Sequence, residues 1–131
     1  SEKEFIWRLG DHSVRGMIDR IDQSPGGGYE LIDYKTSPAA PTAAQVAADP
    51  QLRFYALGAR RGLGIVPALL TVDALLAGER VTAPYDPSGE EALAADIVSA
   101  AASIEAGSFT ADTTFCPRCD FRKDCAFSSA P

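Results

Sequence analysis

The chain has 131 residues, the size of a single domain that can bury a hydrophobic core. Its formal net charge of −6 argues against sequence-independent binding of nucleic acids through bulk electrostatics. No run of about 18 apolar residues occurs, so neither a membrane span nor a membrane partner is expected. There is no signal-peptide pattern, and three cysteines do not make a secreted disulfide framework, so we expect a cytoplasmic protein.

Three strands are predicted over the first 35 residues. Residues 4–9 roughly alternate apolar and polar side chains, as does a strand with one buried face. After a short turn, a second strand is predicted over residues 14–21. The sequence Pro-Gly-Gly-Gly at residues 25–28 is a turn, so residues 29–35 are predicted to return as the third strand, in a hairpin with the second.

One helix is marked at its start by Asp49 and Pro50, after a predicted loop at residues 37–42. Aspartate is a preferred N-cap, and proline is favoured at the first position of a helix. This helix is predicted to run to about Arg61, because Gly62 follows it.

The second half of the chain is predicted to add two strands and a second helix. The strands cover residues 67–76 and 80–84, and Ser88 is predicted to cap an alanine-rich helix that continues to about Ala106. The apolar side of this helix is predicted to contain Leu93, Ile97 and Ile104. This order of strands and helices predicts an α/β fold in which helices flank a mixed sheet.

Two aspartates on the predicted hairpin have the spacing of metal ligands. The turn between Asp19 and Asp33 would set them on neighbouring strands, where opposed residues have Cβ atoms about 5 Å apart. Such a pair can hold one divalent cation, and without it their repulsion would raise one pKa. Lys35 shares a strand face with Asp33. Two carboxylates and a lysine are what a metal-dependent phosphodiesterase needs, since the ammonium would then lie beside the attacked phosphate. The alternatives are solvent-facing acids paired with Arg15 or Arg20, and a plain surface ion pair at Lys35.

Three more residues are candidates for the same site. The side chain of Tyr34 is predicted to point into the core on the other side of the sheet, while its backbone carbonyl could complete the oxygen shell of the cation. Gln51 and Tyr55 are four residues apart and therefore share a helix face. A glutamine there can orient water or contact a phosphate, and a tyrosine can stack on a base. The alternative is an ordinary amphipathic helix with a half-buried tyrosine.

The cysteines are confined to the last part of the chain. Cys116 and Cys119 have the spacing of a chelating pair in zinc and iron–sulfur sites, and Cys125 adds a third thiolate. Three thiolates are one ligand short of a closed tetrahedral site. Zinc with water or His12 as its fourth ligand is one way to complete it.

Four ordered segments together resemble the PD-(D/E)xK nuclease superfamily, and more narrowly its RecB/AddB-type nuclease domains. The matching segments are Gly16 to Asp22, Ile32-Asp33-Tyr34-Lys35-Thr36, Gln51 with Tyr55, and Cys116 to Cys125. The fourth is similar to the cysteine-rich tail of AddB-like and CRISPR-associated exonucleases. The resemblance implies a restriction-endonuclease-like core with a mixed central sheet flanked by helices, lacking the N-terminal helix. We therefore expect a C-terminal fragment of a longer protein.

The resemblance also implies a function. It is that of a Mg²⁺- or Mn²⁺-dependent deoxyribonuclease, in particular an exonuclease, in a recombination-repair enzyme with a helicase domain or subunit. The substrate would be single-stranded DNA or a duplex end. Residues 1–108 would form the nuclease core, and residues 109–131 the cysteine-rich tail.

The implied roles fall into three sets. Asp19, Asp33 and the carbonyl of Tyr34 would hold the metal, and Lys35, Gln51 and Tyr55 would complete the catalytic set. The cysteines Cys116, Cys119 and Cys125 would ligate a [4Fe–4S] cluster whose fourth cysteine is absent from this chain. The alternatives from other classes are a catalytically inactive nuclease-like module that binds DNA or acts as a scaffold, and a zinc-stabilised interaction domain.

Overall fold

A computed structural model describes residues 2–130. The chain divides into two compact units, residues 1–98 and residues 99–131. The strands are β1 (Lys3–Leu9), β2 (His12–Ile18), β3 (Arg20–Gln23), β4 (Tyr29–Lys35), β5 (Pro67–Ala74) and β6 (Glu79–Pro84). The helices are α1 (Ala43–Ala48), α2 (Pro50–Leu63) and α3 (Glu90–Glu105), with short 3₁₀ turns at Pro87–Gly89 and Cys116–Arg118.

The strands of the first unit form two sheets. Strands β1 and β2 make an antiparallel pair, and the other four lie in the order β3-β4-β5-β6. In this second sheet β4 and β5 are parallel, whereas the two outer pairs are antiparallel. The predicted α/β fold with a mixed sheet and flanking helices is confirmed. Within residues 2–130, no helix has the length and apolar character needed to cross a membrane.

The second strand predicted from the sequence, over residues 14–21, is wrong as one continuous strand. The chain bends at Asp19, where it leaves the β1–β2 pair and joins β4. On one side of the bend Ile18 is the register partner of Lys3, and on the other Arg20 is the partner of Ile32. One strand ends here because its hydrogen-bonding partner changes, and this change leaves Asp19 outside both ladders.

The parallel connection from β4 to β5 contains two helices. Helix α2 starts at Pro50 as predicted, with Asp49 as N-cap, but it ends at Leu63, where Gly64 adopts a left-handed conformation. Helix α1 was not predicted, although Thr42 and Gln45 form a capping box. The Thr42 side chain accepts from the Gln45 N–H at 3.2 Å, and the Gln45 side chain accepts from the Thr42 N–H at 2.9 Å.

The ring of Phe5 is the centre of the core of the first unit. Phe5 is the register partner of Gly16 on β2, and its ring also lies against Gly58 of α2. A Cβ atom at either glycine would overlap the ring, so both positions need a residue without a side chain. The ring also makes aromatic contacts with Phe54 at 5.6 Å and Tyr55 at 6.1 Å between ring centroids. This packing fixes the position of α2 relative to the β1–β2 pair.

The start of α3 differs from its prediction. Asp86, not Ser88, is the capping residue, because its carboxylate accepts the Ser88 N–H at 2.9 Å and begins a 3₁₀ turn. The α-helix itself begins at Glu90, which is buried and accepts hydrogen bonds from Arg60 and from the Tyr85 hydroxyl. Leu93 and Ile97 pack partly buried against the core as predicted, whereas Ile104 is 63% exposed.

Candidate active site

The centre of the candidate site is a buried carboxylate on β4. Asp33 is only 4% exposed, and strand alternation places it on the same face as Lys35. Lys35 Nζ lies 2.8 Å from Asp33 Oδ2 as an ion pair. Even so, no aligned hydrogen bond reaches that oxygen from the described residues. A carboxylate oxygen has two lone pairs, so the contact with Lys35 leaves Asp33 Oδ2 able to accept a further partner.

Asp19 lies beside Asp33 at the bend between β2 and β3. Continuing the register of Arg20 with Ile32 by one residue puts Asp19 opposite Asp33. Its Oδ2 accepts the backbone N–H of Tyr34 at 3.0 Å. Strand β3 begins only at Arg20, so the Asp19 carboxylate takes the place of a backbone acceptor for Tyr34. The cross-strand placement of the two aspartates agrees with the prediction.

The backbone of Tyr34 faces the same region. In an extended strand, the N–H and C=O of one residue point to the same neighbouring strand. The Tyr34 N–H donates to Asp19, so its carbonyl is directed to that side as well. The carbonyl of Lys35 points the other way and accepts from Leu75 N at 3.0 Å, as alternation requires.

The prediction that the Tyr34 side chain is part of the core is wrong. It is 39% exposed, because the described part of the chain leaves this end of the sheet face uncovered. Arg20 Nη1 donates to the Tyr34 hydroxyl at 3.4 Å. Arg20 itself is held by two 2.7 Å hydrogen bonds to the carboxylate of Asp22, which lowers the pKa of that carboxyl.

Among the described residues, the two arginines considered as alternative partners of the site aspartates pair with other carboxylates. Arg15 pairs with Glu4 at 3.2 Å and Arg20 with Asp22. The cation that does approach a site carboxylate is Lys35, which contacts Asp33.

The electrostatics at Asp33 favour an additional positive charge. Burial is the largest cause that raises the pKa of Asp33, and the neighbouring Asp19 carboxylate raises it further. Lys35 acts in the opposite direction but does not outweigh them. The pKa of Lys35 is also raised, first by Asp33, with a smaller contribution from Asp49. The ammonium therefore stays protonated, and the pair of aspartates still carries excess negative charge.

This raised pKa predicts a pH effect on the metal-free chain. Asp33 binds its proton more tightly in the folded than in the unfolded state, so its contribution to the free energy of unfolding falls as pH rises from about 4 through the folded pKa. Urea denaturation across this pH range, with chelator present, should show that fall in the wild type relative to Asp33→Asn. Identical pH profiles for the two proteins would contradict the prediction.

The first turn of α2 closes the site on the Lys35 side. Lys35 Nζ donates to Gln51 Oε1 at 3.2 Å, and Gln51 Nε2 donates to the Tyr55 hydroxyl at 2.8 Å. A chain of contacts therefore runs from Asp33 through Lys35 and Gln51 to Tyr55. The structure thus brings together the side chains predicted for the catalytic set, which are Asp19, Asp33, Lys35, Gln51 and Tyr55.

One further residue reaches this cluster and was not predicted to do so. Asp49 was identified from the sequence only as the N-cap of α2. Its Oδ1 accepts the N–H groups of Gln51 and Leu52, and its Oδ2 lies 3.7 Å from Lys35 Nζ. The sequence signal was its position two residues before Gln51, which puts both on the first turn.

The family is identified by comparison with known families. A model of the PD-(D/E)XK nuclease superfamily matches residues 1–126. The chain belongs to the PD-(D/E)XK nuclease superfamily. The predicted superfamily is therefore confirmed, and the mixed α/β fold is that of its restriction-endonuclease-like core. A search among curated proteins gives no match.

Members of this superfamily are generally nucleases and typically use divalent metals. Within residues 2–130, no group of three or more His, Cys, Asp or Glu side chains could hold a metal ion. The site instead offers two carboxylates and the backbone carbonyl of Tyr34. Mg²⁺ is often bound by only one or two carboxylates, with water and substrate oxygens completing its shell. The buried Asp33 carboxylate, its neighbour Asp19 and their excess negative charge suit such an ion.

The second unit contains the three cysteines as free thiols. Cys116 is buried, Cys119 half-buried and Cys125 exposed, and all three line one cavity of about 320 Å³. The pKa of Cys116 is lowered, chiefly because the backbone N–H of Ser129 stabilises its thiolate. The three thiols thus line one cavity. Among the described residues, however, no three ligands are arranged to hold a metal ion.

Proposed function

We propose that this chain is a Mg²⁺- or Mn²⁺-dependent deoxyribonuclease domain that hydrolyses phosphodiester bonds. The observation that carries the proposal is a pair of adjacent carboxylates, the buried Asp33 and its neighbour Asp19, whose negative charge the single Lys35 ammonium does not balance. A structural ion pair would match one carboxylate with one ammonium, whereas a site for a divalent cation carries excess negative charge. Family membership supports a nucleic-acid substrate.

Asp19, Asp33 and the Tyr34 carbonyl would hold the divalent cation. When bound, the cation would supply positive charge beside the attacked phosphate. Burial of Asp33 fixes its carboxylate, and the Tyr34 N–H fixes Asp19, so neither needs to reorganise when substrate arrives.

Lys35 is the group that acts on the phosphate. Its side chain is 31% exposed, so the ammonium can reach a substrate outside the strand while its stem remains against the site. There it offsets the negative charge that develops on the phosphate oxygens in the transition state. Gln51 fixes the direction of the ammonium, and Tyr55 holds the Gln51 amide in place.

The assay for this proposal is cleavage of end-labelled DNA by the purified chain in Mg²⁺, in Mn²⁺ and in EDTA. Lys35→Ala is expected to lower kcat by about 100- to 1,000-fold, the loss typical of removing one charge-stabilising group. Lys123→Ala removes an exposed lysine of the second unit and should leave the rate unchanged. Cleavage that persists in EDTA, or wild-type rates in Lys35→Ala, would contradict the proposal and favour a non-catalytic DNA-binding or scaffolding module.

We further propose that the domain is an exonuclease of the RecB/AddB type, in a recombination-repair enzyme with a helicase domain or subunit and a cytoplasmic location. Support comes from the order of the four sequence segments, which includes Gln51 with Tyr55 after the Asp-Tyr-Lys strand. An exonuclease needs an end, so linear single-stranded DNA or a duplex end should be degraded and closed circular single-stranded DNA should not. Equal cleavage of circles would show an endonuclease.

The cysteine tail is proposed to hold a [4Fe–4S] cluster. Cys116, Cys119 and Cys125 line one cavity, and the lowered pKa of Cys116 suits a metal-bound thiolate. The chain has three cysteines, so a fourth ligand would come from outside them. Protein purified without oxygen should contain iron and absorb visible light; zinc without iron would favour the interaction-domain alternative.

A further inference from the structure

Asp49 uses its two carboxylate oxygens for different purposes. Oδ1 accepts the backbone N–H groups of Gln51 at 2.8 Å and Leu52 at 3.2 Å, which satisfies two free donors at the start of α2. Oδ2 is not needed for the cap and is 3.7 Å from Lys35 Nζ. The side chain is 19% exposed, so its charge is only partly screened by water.

The ammonium of Lys35 lies among three acceptors. The nearest is Asp33 Oδ2 at 2.8 Å, followed by Gln51 Oε1 at 3.2 Å and Asp49 Oδ2 at 3.7 Å. Asp33 belongs to β4, whereas the other two acceptors belong to the first turn of α2 and its cap. The ammonium thus bridges the strand and the start of the helix.

The nearest of these acceptors is also the oxygen that the proposed site would offer to a divalent cation. An ammonium and a divalent cation repel each other, so Lys35 has to withdraw from Asp33 Oδ2 before that oxygen can bind a cation. On the α2 side, Gln51 supplies a neutral oxygen and Asp49 supplies a negative charge. A withdrawal toward Asp49 keeps the ammonium ion-paired throughout.

We propose that Asp49 is a positioning residue that draws Lys35 away from Asp33, which frees the Asp33 carboxylate for a divalent cation and holds the ammonium at the substrate side. This role rests on the proposed function, because it concerns the same site. It assigns Asp49 two separable contributions, a helix cap through Oδ1 and a counter-charge through Oδ2.

The substitution Asp49→Asn separates these contributions. Asparagine caps helices about as well as aspartate, so the cap is retained while the charge is removed. The matched control is Asp86→Asn, since Asp86 also accepts a backbone N–H at a helix start, and its hydrogen bond within residues 2–130 is to Ser88 and not to the site. In chelator, all three proteins should have the same denaturation midpoint in urea.

The decisive readout is Mn²⁺ affinity by calorimetry, measured without DNA in a double-mutant cycle. Asp49→Asn should weaken Mn²⁺ binding by about fivefold, the size expected for one partly exposed charge pair. In a Lys35→Met background, where no ammonium competes for Asp33, Asp49→Asn should change the affinity by less than about twofold. Asp86→Asn should not alter it in either background.

Two results would overturn the inference alone. Equal weakening in both backgrounds would mean that Asp49 acts on the cation directly through its charge, and no weakening in either would mean that it is only a cap. Failure of the wild type to bind Mn²⁺ would instead contradict the proposed function, and this inference with it.

Discussion

Asp33→Asn is expected to lower the rate of Mg²⁺-dependent DNA cleavage by at least about 1,000-fold, while the chain remains folded. Metal-derived charge stabilisation amounts to several kcal/mol in a transition state, and each 1.4 kcal/mol is about a tenfold change in rate. An amide at this position keeps the shape of the side chain but not its charge. Cleavage of end-labelled DNA, quantified for both proteins under single-turnover conditions, measures the effect.

The free energy of unfolding of Asp33→Asn is expected to change differently from its activity. The charged Asp33 is buried and repelled by Asp19, and its pKa is raised in spite of the Lys35 contact, so at neutral pH its replacement by a neutral amide is expected to leave the midpoint of unfolding unchanged or raise it. Asp73→Asn is the control. Val72 on β5 is the register partner of Asp33, so Asp73, the next residue, faces the other side of the sheet, where it pairs with Arg80 at 3.4 Å. Full activity in Asp33→Asn, or an equal loss in Asp73→Asn, would contradict the assignment.

Phe5→Ala is expected to destabilise the chain by about 3–5 kcal/mol, the usual result of removing a buried aromatic ring. The ring is 1% exposed and lies between β2 and α2, so its loss leaves a cavity at the packing that positions the start of α2 with Gln51 and Tyr55. Urea denaturation in chelator would measure the change. A loss below about 1 kcal/mol would show that the ring is not the centre of this core.

Gly58 provides a matched test of the same contact. Gly58→Ala alone should destabilise the chain by about 1–3 kcal/mol, because the added methyl group overlaps the Phe5 ring. In the Phe5→Ala background the overlap is gone, and the same change should stabilise by up to about 1 kcal/mol because alanine favours helix over glycine. If Phe5→Ala does not fold, Phe5→Leu serves as the background. An effect of equal sign in both backgrounds would contradict the close packing.

The elements predicted correctly from the sequence have strong local signals. The Asp49-Pro50 start of α2 and the glycine turn before Tyr29 are determined by backbone chemistry within a few residues. The bend at Asp19 has no such signal, since residues on both sides keep their β character and only the partner strand changes. Partner choice depends on long-range packing, which a local pattern does not contain.

In the candidate site, too, features set by local periodicity were predicted, and features set by long-range packing were not. Strand and helix periodicity predicted that Asp33 shares a face with Lys35 and Gln51 with Tyr55, and the family resemblance made these residues site candidates. Periodicity shows which face a side chain is on but not whether that face is buried. It therefore placed Tyr34 in the core, whereas this end of the sheet face is uncovered among the described residues. It also gave Asp49 a single role, since its contact with Lys35 exists only once α2 lies against β4.

The most direct measurement is a crystal structure of the chain soaked in Mn²⁺, with anomalous data that locate the ion. The proposed function predicts a peak bonded to both Asp19 and Asp33, with the Tyr34 carbonyl as a third protein ligand. It also predicts that this peak disappears in Asp33→Asn crystals. A peak elsewhere in the chain, or none between these aspartates in protein that cleaves DNA, would contradict it.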